Sequence, residues 1–138
     1  MSWDERYIGL AEHVAGWSKD PSTQTGAVIV RPNNTVVSQG FNGFPRGIAD
    51  DDRLDDRLLK YEMIIHCEIN ALISAAQDVY GCTLYTWPFL PCSRCASVMI
   101  QAGIKRVVAP VNTIERWWEN LKLSRSLFAE AGVEVVEL

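Results

Sequence analysis

The stretch CTLYTWPFLPCSRC, residues Cys82 to Cys95, decides the fold. Cys82 to Thr86 reads as a buried strand, Pro88 and Pro91 interrupt the chain after it, and a helix opens near Cys92. Ala96, Met99 and Ile100 carry that helix to Gly103, its expected C-cap, and Val107 and Val108 begin the next strand. Downstream, Thr113 is expected to cap a helix bearing Ile114, Trp117, Trp118, Leu121 and Phe128; Gly132 stops it before a last strand, Val133 to Val136. Upstream, Ile65, Ile69, Leu72 and Ala76 mark a helix that ends before Gly81. Asn42 to about Asp56, with its glycines, Pro45 and the run of aspartates from Asp50, is expected to be an exposed loop. Gly26 to Val30 and Thr35 to Phe41 flank the turn residues Pro32, Asn33 and Asn34 and read as a hairpin. Ser2 and Glu5 fit a capping box for a first helix striped by Trp3, Tyr7, Leu10, Val14 and Trp17 and ended by Pro21.

Strands joined through helices lie parallel with right-handed crossovers, and a hairpin adds an antiparallel neighbour. The expected fold is therefore an α/β, three-layer α/β/α sandwich around a mixed five-stranded sheet. Ligands of such sheets collect beyond the carboxyl ends of the parallel strands, and Trp87 to Cys95 leaves one of those ends.

The chain has 138 residues, 48% hydrophobic and 22% charged, which suits one domain over residues 1–138. A formal charge of −4 argues against a long nucleic acid as partner. Met1 is followed by Ser2, Trp3, Asp4, Glu5 and Arg6 rather than by a basic start and an apolar run, so no export signal is read there. The longest uncharged stretch, Gly81 to Ser93, falls short of the ~20 apolar residues that span a membrane. A cytoplasmic location is expected, where closely spaced cysteines are metal ligands or redox groups before they are disulfides.

Only two histidines and four cysteines are available. His66-Cys67-Glu68 opens one expected helix and Pro91-Cys92-Ser93-Arg94-Cys95 opens another. Cysteines three apart on a helix share a face, and a helix N-terminus favours thiolate. His66, Cys92 and Cys95 thus form a three-ligand set suited to Zn2+, with a fourth position for water. Glu68 is near enough to reach that water without ligating, as a general acid and base must. H-x-E with P-C-x-x-C is the signature of zinc nucleobase deaminases, and both halves here open helices, the context the motif requires. A closed structural site using Cys82 or Cys67 and a redox C-x-x-C are the competing readings; the second leaves His66 and Glu68 unexplained. His13 reads as a boundary residue, Cys82 as a small buried one, and Trp117 and Trp118 as core or subunit interface. Trp87 and Phe89, beside the cysteines, are candidates for base contact.

The chain resembles the cytidine deaminase superfamily, and within it the deoxycytidylate deaminases. The resemblance rests on Ser18 to Pro21 leading into Gly26 to Val30, on Gly40 to Gly47, on Lys60-Tyr61, on His66 to Ala71, on Pro91 to Cys95 and on Ile100 to Ile104. It implies zinc on His66, Cys92 and Cys95 with Glu68 as acid and base. It further implies Asn42 on the deoxyribose hydroxyl and backbone at Ala27, Cys67 and Pro91 on the pyrimidine edge. A homo-oligomer, dimer or hexamer, and control by dCTP and dTTP are also implied. Cys67 stands where that family usually has alanine, and Phe41 where it has tyrosine.

The expected activity is hydrolysis of dCMP to dUMP and ammonia: zinc-activated hydroxide attacks C4 and Glu68 shuttles the proton. A 5′-phosphate needs cations, for which Lys19, Arg46 and Arg94 are the candidates. The alternatives are a deaminase of dCTP or of 5-substituted dCMP, a tRNA adenosine deaminase, which ought to show a basic surface, and a non-catalytic nucleotide sensor, which has no use for an unligated Glu68.

Overall fold

Strand β1 (Gly26–Val30) is buried at every position, as a strand can be only with neighbours on both edges and layers on both faces. A computed structural model describing all of residues 1–138 places it so. The sheet has five strands in the order β2-β1-β3-β4-β5. β2 spans Val36–Phe41, β3 Thr83–Trp87, β4 Arg106–Ala109 and β5 Glu134–Glu137. β1 runs antiparallel to both β2 and β3, while β3, β4 and β5 are parallel, the expected mixed sheet.

Alternation along the strands feeds two cores. Val28, Val30, Tyr85 and Val108 face helix α1 (Trp3–Ala15), meeting Tyr7, Ile8 and Ala11. Ala27, Ile29, Leu84, Val107 and Ala109 face the other way, onto α3 (Cys67–Ala75), α4 (Ser93–Ala102) and α5 (Trp118–Ala131). There Ala71, Met99, Leu121 and Phe128 are sealed from solvent, and burying each large side chain contributes roughly 1.5–3 kcal/mol. Two glycines set the layer spacing. A Cβ at Gly26 would collide with backbone of α1 at Ala11 and Ala15, and one at Gly40 with backbone of α3 at Ala71.

The elements depart from the sequence reading in four places. Helix α1 begins with the expected Ser2–Glu5 capping box but ends at Ala15, and Trp3 and Trp17 are each 48% exposed. Its buried face is Tyr7, Ile8, Ala11, Val14 and Ala15, because the close approach over Gly26 selects alanines where the aromatic stripe would stand off. Helix α3 likewise starts at Cys67 and buries Cys67, Glu68, Ala71 and Ala75, while Ile65 bridges Gly43 before the helix begins. Within and after the acidic stretch lie a 3-10 turn, Asp52–Asp55, and an unexpected helix, α2 (Arg57–Met63), whose N-cap Asp56 accepts from the Leu59 amide. Thr113 caps nothing. Asn112 Oδ1 accepts from the Ile114 amide, a 3-10 turn follows at Glu115–Trp117, and α5 begins only at Trp118. Gly103 and Gly132, at φ of 94° and 77°, close α4 and α5 as expected. No helix is long and apolar enough to cross a membrane.

Candidate active site

The starts of α3 and α4 meet beyond the carboxyl end of β3. His66 is the N-cap of α3 and Cys92 that of α4, both in extended backbone, and neither uses its side chain to cap its helix. Imidazole and thiol are left for one another, and Cys95 joins them from the first turn of α4. His66 Nδ1 lies 3.2 Å from Cys95 Sγ and 3.5 Å from Cys92 Sγ. The three donor atoms are all within 4.8 Å of one another.

The three groups share protons among themselves. Hydrogen bonds from Cys95 and His66 pull the Cys92 thiol well below its ordinary value. The same interaction with Cys92 pushes the Cys95 thiol up, and contact with Cys92 raises His66. A divalent cation would displace the protons these groups now share. One imidazole and two sulfurs match the donor preference of zinc, and no other histidine, cysteine or carboxylate joins the cluster, so a fourth position stays open to water.

Glu68, the second residue of α3, is 5% exposed and lines the cavity beside the cluster without belonging to it. Burial is the main cause of its raised pKa. Another wall of the cavity is a buried polar network. Lys60 Nζ lies 3.0 Å from Asp20 Oδ1 and 3.2 Å from Ser22 Oγ. Asn42 Nδ2 donates to Asp20 Oδ2 at 3.3 Å and to the Thr23 carbonyl at 2.9 Å, and its Oδ1 accepts from the Thr25 amide at 2.9 Å. Both amide hydrogens of Asn42 are spent, whereas Oδ1 keeps a lone pair for a hydroxyl donor.

His66, Cys92 and Cys95 are brought together as the sequence predicts, and Glu68, Cys67, Asn42, Phe89 and Trp87 line the same cavity. Ala27 and Pro91 are buried outside the lining, so a contact from either would be made by backbone. None of the three candidate phosphate cations lines the cavity. Lys19 is turned outward to Asp50 at 3.6 Å with 73% of its side chain exposed. Arg46 sits in the exposed turn after Pro45, and Arg94 is exposed on α4 while Cys95 and Met99 are buried. Arg57, Lys60 and Arg116 are the cations that do line it. Trp117 packs against the core, as expected, and also lines the cavity, stacked on Phe89 with ring centroids 5.7 Å apart. Asp20 and Lys60 lie in stretches that carry the resemblance, a signal that could have marked them. Arg57, Arg116 and Trp117 sit on a short helix and a 3-10 turn with no periodicity to reveal them.

A family model described as the cytidine and deoxycytidylate deaminase zinc-binding region matches residues 1–111. Over 139 residues the chain is 45% identical to an uncharacterized deaminase of the luxG 3′ region in Aliivibrio fischeri, covering 99% of this chain and 93% of that one. Over 143 residues it is 38% identical to the deoxycytidylate deaminase of Mus musculus, covering 96% and 78%. Among solved structures, the dCMP deaminase of the cyanophage S-TIM5 in apo form is similar with a TM-score of 0.78 at 25% identity, covering 98% and 96%.

Proposed function

The chain belongs to the cytidine and deoxycytidylate deaminase family, and from that premise we propose that it is a zinc-dependent hydrolase converting dCMP to dUMP and ammonia, one domain over residues 1–138. One observation carries the reading: an open His66–Cys92–Cys95 donor set stands beside a buried carboxyl, Glu68, that shares its cavity but not its ligand duty. His66, Cys92 and Cys95 would hold a zinc ion, which would supply an acidified water.

The chain's own groups do the rest. Glu68 takes one proton of the attacking water and delivers it to N3 of the cytosine as C4 is attacked; it then takes the second proton, from the new C4 hydroxyl, to the amine, which leaves as ammonia as the C4 carbonyl forms. Its raised pKa suits a group that must hold a proton between those transfers. Phe89 and Trp87 offer the base an aromatic surface, and backbone groups of Ala27, Cys67 and Pro91 read the pyrimidine edge. Asn42 Oδ1 accepts from the deoxyribose hydroxyl. Lys60 is matched by Asp20, so the 5′-phosphate falls to Arg57 and Arg116, which line the cavity and form no ion pair within the chain.

The charge of −4 favours a free nucleotide over a nucleic acid. Family membership supports the remaining parts of the reading: homo-oligomeric assembly as dimer or hexamer, control by dCTP and dTTP, and a cytoplasmic site of action. Ammonia release measured across dCMP, CMP, dCTP, deoxycytidine and 5-methyl-dCMP tests the assignment. dCMP is expected to be turned over with the highest kcat/KM, and no release from dCMP would overturn it.

A further inference from the structure

We propose that Asp20, held by Lys60, is a positioning residue that makes Asn42 an acceptor alone, so that the site selects a nucleotide with a free 3′-hydroxyl. The proposal rests on the dCMP reading, in which Asn42 meets that hydroxyl, and adds the residues that make the contact selective. An asparagine amide fits its place either way round until its neighbours decide. Here they decide fully. Asn42 Nδ2 faces two acceptors, Asp20 Oδ2 at 3.3 Å and the Thr23 carbonyl at 2.9 Å, while Oδ1 faces a donor, the Thr25 amide, at 2.9 Å. Turned over, the amide would set oxygen against two acceptors and nitrogen against a donor, at a residue only 6% exposed where water cannot repair the mismatch.

Of these three neighbours only Asp20 acts through a side chain, and that side chain is itself fixed. Lys60 Nζ at 3.0 Å and the Ser22 amide at 2.8 Å both donate to Asp20 Oδ1, which leaves Oδ2 for Asn42. The Ser18 hydroxyl accepts from the Asp20 amide at 3.2 Å and donates to the Asn42 carbonyl at 2.9 Å, tying the two backbones together. With both of its N–H bonds spent, Asn42 can meet a ligand only through Oδ1, and only a donor satisfies it. A 3′-hydroxyl donates. The ester oxygen that replaces it in a nucleotide within a strand does not, so the same network favours a free nucleotide over a nucleic acid.

The test measures dissociation constants of the zinc-loaded protein for dUMP and for 2′,3′-dideoxyuridine monophosphate, which lacks only the 3′-hydroxyl. Wild type is expected to prefer dUMP about tenfold. Asp20→Asn keeps the shape of the side chain and, with its oxygen held by the Ser22 amide, sets a nitrogen against Asn42 Nδ2. The preference should fall to within about twofold, the loss coming from dUMP. A variant that keeps the preference, or weakens both ligands equally, overturns the proposal and makes Asp20 a packing residue. If Asp20→Asn does not fold, Asp20→Asn with Lys60→Met leaves no stranded charge and should give the same result. If neither folds, the wild type decides: both side-chain amide protons of Asn42 should stay protected from solvent exchange when dUMP binds, and fast exchange of either overturns the proposal. Equal wild-type affinity for the two ligands also overturns it, whereas wild type that binds neither dUMP nor dCMP overturns the dCMP reading itself.

Discussion

The thiol of Cys67 donates to the carboxylate of Glu68, Sγ lying 2.8 Å from Oε1 with both residues buried. Beyond the backbone role that the resemblance implies for Cys67, the structure adds a side-chain one: it touches the group assigned to carry the proton. The contact does not draw Cys67 into the metal cluster, to which it does not belong. Cys67→Ala should therefore keep one zinc per chain and lose only the worth of one hydrogen bond, a two- to tenfold drop in kcat at about 0.5–1.5 kcal/mol. Cys67→Ser should recover most of it. Loss of zinc in the alanine variant would make Cys67 a ligand and contradict the assignment.

The Asp20–Lys60 pair is nearly sealed, with side chains 6% and 8% exposed. Lys60→Met fills much the same space but strands the Asp20 carboxylate in the interior. Breaking a buried pair from one side costs about 3–5 kcal/mol, which urea denaturation should register. A stability change below about 1 kcal/mol, the range of exposed pairs, would show that the network is open to water.

How much of this is legible in the sequence depends on what keeps each residue in place. His66, Cys92 and Cys95 can be read because helix starts and a three-residue spacing constrain their donor atoms locally. The sheet can be read because the apolar run Val28, Ile29 and Val30 and the stretch to Thr86 are written into the strands. Arg57 cannot, since α2 exposes Leu58, Leu59 and Tyr61 and so shows no buried stripe, and its N-cap Asp56 is hidden in a run of aspartates. By sequence Trp117 belongs to one face of a long helix, whereas the Asn112 turn breaks that helix and hands the ring to Phe89. Lys19 and Arg94 are near the motifs, but their side chains do not line the cavity.

Arg57 lines the cavity and the three exposed cations do not. Arg57→Gln should raise KM for dCMP about tenfold, the order expected for one lost charge-assisted contact. Lys19→Ala, Arg46→Ala and Arg94→Ala should each leave it within about twofold, as exposed charges outside the cavity do. Steady-state kinetics on the four variants decide the matter, and the reverse pattern would restore the sequence reading.

Far from the cavity, Asp4 ties α1 to the sheet. Its carboxylate receives Arg106 through two bonds of 2.7 and 2.8 Å and the Tyr85 hydroxyl at 2.8 Å. The Arg106 guanidinium holds Asp4 below its ordinary value of 3.8. A carboxyl depressed on folding stabilises the fold fully above its unfolded pKa and stops doing so as pH falls through the folded one. The contribution should thus be present above about pH 5 and fade below 3.8. Both groups are partly exposed, so it is worth about 1 kcal/mol. Urea denaturation of wild type and Asp4→Asn at about pH 6 and about pH 3, on either side of that window, should show a gap at the higher pH that narrows at the lower. A gap that stays constant would mean that Asp4 acts through packing.

Glu68 is assigned to move the protons of a water that the metal on His66, Cys92 and Cys95 would acidify. Glu68→Gln keeps the size and burial of the side chain and removes its acid and base function. Zinc content and ammonia release from dCMP are to be measured on the same preparation of this variant. One zinc per chain is expected, with a fall in kcat on the order of a hundredfold or more. Full zinc with undiminished turnover would contradict that assignment.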